Sequence, residues 1–181
     1  MTAVLLLCTG NLCRSVMAQA MLCARLAARG DDGPVHSAGL LSDGRPPPAE
    51  VVSVLAARGL DVSGHRSRVV SAADLAAADL VLGMAREHVR HAAVLLPECW
   101  PRVFTLRELV RKGQRAGPRA PGEPLDGWLA RAGGSRSRRE LLSSNPDDDV
   151  PDPYGGPLVT YQATADLLDR LTTDLAALCW W

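Results

Sequence analysis

Cys8-Thr9-Gly10-Asn11-Leu12-Cys13-Arg14-Ser15 gathers a thiol, a glycine and a guanidinium within one short stretch. Together they suit a tetrahedral anion. The backbone N–H groups of a tight loop converge on one point, and a helix opening at its end adds positive potential. Gly10 permits a backbone turn that other residues resist. Arg14 supplies a planar fork of donors matched to phosphate oxygens. The same positive field favours a thiolate at Cys8, and a thiolate facing a phosphoryl group is a nucleophile for displacement at phosphorus. The C-x5-R spacing is weak by itself. It becomes specific when it follows a buried strand and opens a helix, with Gly-Asn inside and Ser after.

Displacing an alkoxide or phenoxide also requires a proton donor for the leaving oxygen. Asp147-Asp148-Asp149-Val150-Pro151-Asp152-Pro153-Tyr154-Gly155-Gly156 offers four carboxylates in a proline-stiffened loop. Asp152 sits between two prolines, so its backbone is restricted. Tyr154 beside it can wall a pocket. On composition alone this is a solvated acidic turn. Paired with the Cys8 loop, it becomes a general-acid loop.

The elements that must position these groups follow from hydrophobic patterning. Ala3–Leu7 is an apolar run too short for a helix and reads as a strand buried on both faces. Met17, Met21, Ala24 and Ala28 recur at helical spacing, giving a helix from about Ser15 to Gly30. Further strands fit Pro34–Ala38, Leu80–Met84 and Arg102–Phe104. Further helices fit Ala49–Arg58, Ala72–Ala78 capped by Ser71, Arg86–Leu95 and Leu158–Leu178. Strands alternating with helices predict a three-layer α/β domain with a mostly parallel sheet, spanning residues 1–181.

One stretch departs from this pattern. Residues 102–139 carry ten Lys/Arg and three acids, a local net of +7, and are rich in Gly, Pro and Ser. Composition predicts an insertion at about 112–143 that is either a solvated loop or a basic lip attracting an anion. Trp128 is the residue expected to pin it. Trp180-Trp181 reads as ordinary terminal packing.

At 181 residues with 47% apolar content, the chain can bury a full core, which excludes wholesale disorder. Twenty basic residues against twenty acidic ones argue against a dedicated nucleic-acid binder. No apolar run approaches the roughly 18 residues of a membrane span. Met1–Leu7 lacks the cationic flank of a signal peptide, so a cytoplasmic chain is expected. Five cysteines, an odd number, do not suggest a disulfide framework. Cys23, Cys99 and Cys179 read as buried small apolar residues.

From Val4 through Ser15 to Asp149-Val-Pro-Asp-Pro-Tyr154, the sequence resembles the low-molecular-weight protein-tyrosine-phosphatase family, which also includes protein-arginine phosphatases and arsenate reductases. The resemblance implies a four-stranded parallel sheet and a phosphate loop, Thr9 to Ser15, after the first strand. It implies a two-step, metal-free and cofactor-free reaction. Cys8 attacks phosphorus, Asp152 protonates the leaving group, and water then hydrolyses a phosphocysteine held by Arg14. Ser15 matches the hydroxyl that bonds the nucleophilic sulfur, and Asn11 the residue that braces the loop. Ser37 and His65 match the network around that Asn. Cys13 matches a position from which a reversible disulfide to Cys8 can form. The expected partner is a phosphorylated protein or a small phosphorylated substrate.

The sequence also departs from the family. Val16 replaces the usual Pro after Arg-Ser. Leu40-Leu41-Ser42-Asp43-Gly44-Arg45 lacks the aromatic that often lines the pocket, so Leu41 is expected to supply aliphatic contact and Arg45 to meet an anionic substrate. Leu12, by family analogy, favours phosphotyrosine, whereas Gly155-Gly156 resembles the phosphoarginine members. Arsenate reduction would need a further resolving thiol, and only Cys99 lies between Cys23 and Cys179. A non-catalytic phosphate-binding module would not need Cys8, Arg14 and Asp152 together.

Overall fold

The apolar run after Thr2 forms β1 (Val4–Cys8), with all five residues buried. In this computed structural model, residues 1–41, 43–134, 136–137, 139, 141 and 145–180 are described. The other strands are β2 (Val35–Gly39), β3 (Leu80–Gly83) and β4 (Val103–Thr105). They pair in the order β2-β1-β3-β4, parallel throughout. Such a sheet is covered on both faces, which is why its strands lack polar alternation.

Helix α1 (Arg14–Ala27) follows β1, α2 (Ala49–Ala56) follows β2, and α3 (Ala72–Ala77) precedes β3. Then come α4 (Arg86–Leu95), α5 (Leu106–Ala116), α6 (Leu125–Gly133) and the long α7 (Leu158–Cys179). Successive strand residues point to opposite faces. Val4, Leu6 and Cys8 therefore join a core with Met17, Met21, Leu168 and Leu175, while Leu5 and Leu7 join a second core with Leu75, Val89 and Trp100. The chain leaves β1 for β2 on one side and crosses back to β3 on the other. The loop after β1 thus sits where strand order reverses, the place at which open α/β sheets bind ligands.

The four expected strands and five expected helices are present in the expected order, and α5 and α6 are additional. The buried stripe of α1 runs through Ala18, Met21, Leu22 and Leu26, whereas Ala24 and Ala28 face solvent. Cys23 is exposed on that outer side, not buried as the general habit of free cysteine suggests; Cys99 and Cys179 are buried. Ser71 caps α3 as expected, accepting from Asp74 N.

The larger correction concerns the basic stretch. Much of what reads as a Gly/Pro/Arg loop is helical: α5 includes Lys112 and Gly113, and α6 carries Trp128. Thr105 and Glu108 form a reciprocal capping box that starts α5. Trp128 is fully buried between α5, α6 and α7, and its Nε1 donates to Gly117 O at 3.0 Å. Its rings lie 3.0 Å from where a Cβ on Gly113 would stand, so the glycine lets the helix approach. The cations are largely turned to internal use. Arg111 pairs with Asp148, Arg131 with Glu123, and Arg136 stacks on Trp100 and Phe104 at 4.0 and 3.9 Å. Residues 135, 138, 140 and 142–143 of the expected insertion, and Trp181, lie outside the described residues. Trp180 is buried.

Trp128→Ala should cost about 3–5 kcal/mol, as for other fully buried aromatics. The check is the urea midpoint of the whole domain. An unchanged midpoint would mean that α5 and α6 unfold apart from the sheet.

Candidate active site

Cys8 ends β1 and Arg14 opens α1, so strand and helix fix the two ends of the loop between them. Within it, Asn11 adopts φ +50°, alone among the described non-glycine residues in the left-handed region. That conformation costs about 1–3 kcal/mol unless the surroundings hold it. They do so at every polar atom. Asn11 Nδ2 donates to Ser15 Oγ at 3.0 Å and Ser37 Oγ at 2.8 Å, and Arg68 N donates to Asn11 Oδ1 at 3.1 Å. His65 Nε2 donates to Asn11 O at 2.9 Å. Ser37 Oγ in turn donates to Gln19 Oε1 at 2.6 Å.

This directional chain ends at the sulfur. Ser15 Oγ accepts from Asn11, which leaves its hydrogen for Cys8 Sγ at 3.0 Å, and Asn11 N points at the same sulfur from 3.2 Å. Two donors thus converge on a buried sulfur. The neighbouring strand closes in from the other side. Leu40 N and Leu41 N both donate to Thr9 O, and a Cβ on Gly39 would stand 2.8 Å from Asn11 N.

Arg14 is nearly fully buried. Its Nη1 donates to Val150 O at 3.3 Å, and its Nη2 to Thr9 Oγ1 at 3.1 Å and Asp152 Oδ2 at 2.5 Å. Its Nε is buried without a hydrogen-bond partner among the described residues. Asp152 is about half exposed, and its other oxygen accepts from Tyr154 N at 3.2 Å. The loop is tied down before and after it. Val150 N donates to Met84 O at 2.7 Å, and Gly155 N donates to Tyr161 Oη at 3.1 Å.

Cys8, Thr9, Gly10, Leu12, Cys13, Arg14, Leu41, Asp152 and Tyr154 line one cleft of about 190 Å³, with the exposed Arg45 at its mouth. Every residue that the sequence nominated for the site is thus in the cleft or in the network beneath it. Cys13 is a bystander to the acid–base chemistry: burial, with the charges of Asp152 and Cys8, pushes its thiol up to about 12. Val16 is buried within α1, so the missing proline does not interrupt the helix. Among the described residues no group of three His, Cys, Asp or Glu stands ready to hold a metal.

Patterning missed several supports. Gln19, Arg68 and Gly39 brace the loop, and His88 reaches it from α4. Ala85 N donates to His88 Nδ1 at 2.8 Å, so the ring's proton is on Nε2, facing Thr9 Oγ1 at 3.1 Å. Thr9 then donates to Glu87 Oε1 at 3.2 Å. Burial, reinforced by the Arg14 charge, lowers the His88 pKa to about 3, so a neutral ring steadies the hydroxyl that meets Arg14. No spacing rule announces a histidine so far along the chain.

Two expectations follow. Gly39→Ala should push the loop backbone aside and lower kcat/KM by about tenfold to a hundredfold, the cost typical of misplacement near 1 Å; steady-state kinetics with thermal melting separates this from unfolding. His88 is neutral in both states above about pH 6.5. As pH falls from there towards 3, the unfolded chain takes up the proton first and stability is lost, by up to about 1.4 kcal/mol per pH unit. His88→Asn keeps an acceptor for Ala85 N and removes the titration. Its urea midpoint should therefore decline less than wild type between pH 6.5 and 4, and parallel declines would refute the assignment.

The comparisons agree with this geometry. Residues 3–124 match the low molecular weight phosphotyrosine protein phosphatase family. A low molecular weight protein tyrosine phosphatase from T. tengcongensis superposes with a TM-score of 0.73 at 34% identity, covering 97% of each chain. A protein-arginine-phosphatase from Geobacillus stearothermophilus is 28% identical over 96% of this chain and 93% of its own. A mutant of the arginine phosphatase YwlE with a phosphorylated active-site serine superposes at TM-score 0.73 and 26% identity, covering 96% of this chain and 93% of its own. With a thiol, a guanidinium and a carboxylate meeting in one anion cradle, this chain belongs to the low molecular weight phosphotyrosine protein phosphatase family and is a cysteine-based phosphatase.

Proposed function

We propose that this phosphatase acts on phosphotyrosine in proteins, with Cys8 as nucleophile, Arg14 as phosphoryl holder and Asp152 as general acid and then base. The observation that carries the reading is Cys8 Sγ facing a cleft shared with Arg14 and Asp152. In the first step Cys8 Sγ bonds to phosphorus, the bond to the leaving oxygen breaks, and the Asp152 proton moves to that oxygen. In the second, water attacks phosphorus, gives a proton to Asp152 and displaces the thiolate. Inorganic phosphate leaves. The Arg14 guanidinium and the loop N–H groups carry the phosphoryl charge through both steps. The relative with a phosphorylated active-site serine supports a covalent intermediate.

The pocket walls support a phenyl ester. Leu12 is buried and apolar, and Leu41 and Tyr154 flank the opening, which suits a flat ring. A guanidinium-bearing phosphoarginine would instead bring a cation beneath Arg45. Phosphoarginine remains the second reading because an arginine phosphatase aligns along nearly the whole chain. Arsenate reduction would need a further resolving thiol besides Cys13, and Cys99 is buried in the core on the opposite face of the sheet.

Release of phosphate from p-nitrophenyl phosphate, without added metal, tests the chemistry. Cys8→Ser should reduce turnover to background. Asp152→Asn should lower kcat by about 10²–10⁴-fold on a phosphotyrosine peptide, and less on p-nitrophenyl phosphate, whose leaving group needs less protonation. A Cys8→Ser protein as active as wild type would sink the mechanism. Equal peptide concentrations of phosphotyrosine and phosphoarginine then decide the substrate, with a higher kcat/KM expected for phosphotyrosine.

A further inference from the structure

The guanidinium at the mouth of the cleft has no task in the chemistry just described. Arg45 is held firmly by its backbone. Its N–H donates to Ser67 Oγ at 3.0 Å, its carbonyl accepts from Ser67 N at 2.9 Å, and Gly44 N donates to Ser67 O at 2.7 Å. Ser67 itself is buried. Three prolines follow, Pro46 to Pro48, each with a fixed φ, before α2 begins. The side chain alone is free to choose its direction, and it turns to the cleft, where Nη2 donates to Tyr154 Oη at 3.2 Å.

Its charge is not consumed. Arg14 pairs with Asp152, Arg68 with Asp74, and Arg86 with Glu108 and Asp148. Arg45 meets no carboxylate among the described residues; its one side-chain hydrogen bond there is to a phenol oxygen. That oxygen uses a lone pair to accept, so the Tyr154 hydrogen remains available to donate. The remaining guanidinium N–H groups and this hydroxyl form a patch of donors beside Leu41 and Tyr154, both exposed. The phosphoryl group belongs deeper, at Cys8 and Arg14. A second acceptor on the substrate would lie outside it, at the level of the peptide.

We infer that Arg45, with Tyr154 Oη, reads a carboxylate flanking the phosphorylated residue, so that this enzyme selects phosphotyrosine peptides with an adjacent Asp or Glu. The inference rests on the phosphotyrosine reading above and names the sequence context of that substrate. Electrostatic selection of this kind works at the binding step and weakens with salt.

Three phosphotyrosine peptides differing only in the flanking residues (Glu, Ala or Lys) are compared by kcat/KM at low and at high salt. Wild type should prefer the Glu peptide over the Ala peptide by about twofold to fivefold, chiefly through KM, with the preference shrinking in high salt. Arg45→Ala should bring the ratio close to one, and Arg45→Glu should favour the Lys peptide. Arg45→Lys should retain part of the preference, since it keeps the charge and loses the fork. A wild-type ratio near one, or a ratio unaltered in Arg45→Ala, overturns the assignment while leaving the phosphatase reading intact if p-nitrophenyl phosphate is turned over through Cys8. A wild type inert on p-nitrophenyl phosphate and on every peptide overturns both.

Discussion

The left-handed turn at Asn11 is the constraint around which the rest is arranged. A loop of five residues must bring its N–H groups to one point between a strand end and a helix start. One of those residues has to enter a region of backbone space that L-amino acids avoid. A glycine would enter it freely but would bring no side chain to lock the loop, and Asn11 supplies the lock. Its amide and carbonyl groups engage Ser15, Ser37, Arg68 and His65, and its N–H meets the sulfur. At about 0.5–1.5 kcal/mol net for each hydrogen bond, five such contacts outweigh the cost of the turn. The network spans β1, α1, β2 and the segment before α3, so the fold as a whole holds the loop in shape before any anion arrives. Such preorganisation is what allows fixed dipoles to stabilise developing charge.

The legible part of this site was the part whose chemistry is local. Cys8, Arg14 and Ser15 lie within one strand–loop–helix unit, and Asp152 is flagged by two prolines. Their residue types suggest the reaction, and the structure pairs Cys8 with Ser15 and Arg14 with Asp152 around one cleft. The supports were less legible because they come from afar. Gln19, Arg68 and His88 lie on separate elements and act through one hydrogen bond or two, which leaves no period in the sequence.

Composition misled where periodicity would have served better. The basic stretch was read through its Gly, Pro and Arg content, yet Leu106, Leu109, Val110 and Gly113 recur at helical spacing and are buried, and Thr105-x-x-Glu108 is a capping signature. The excess of arginine there looked solvent-directed. Arg111 and Arg136 instead reach back to Asp148, Trp100 and Phe104. Cys23 illustrates the complementary error. Free cysteine is commonly buried, but burial on an amphipathic helix is decided by the face, and Met21 and Leu22 take the inward one.

The two loops of the site differ in exposure, and the proposed chemistry gives a reason. Cys8, the proposed nucleophile, is buried and held by donors on fixed elements, which suits attack along one line. In the proposed reaction the acid, Asp152, must give up a proton, take one back and lose its contact with Arg14 whenever a phosphoryl oxygen claims that guanidinium. Asp152 is accordingly half exposed, and among the described residues its side chain is tied to Arg14 and to Tyr154 N. Rigidity is supplied just upstream instead. Asp148 lies in a buried ion network with Arg86 and Arg111, Asp149 Oδ1 accepts from Arg86 N, and Val150 is bonded to Met84. Buried ion pairs add little net stability, since desolvation offsets their attraction, but they specify which groups sit together. Here they specify that a carboxylate more than a hundred residues from Cys8 in sequence returns to the same anion cradle. The prolines on either side of Asp152 then limit how far its side chain can stray.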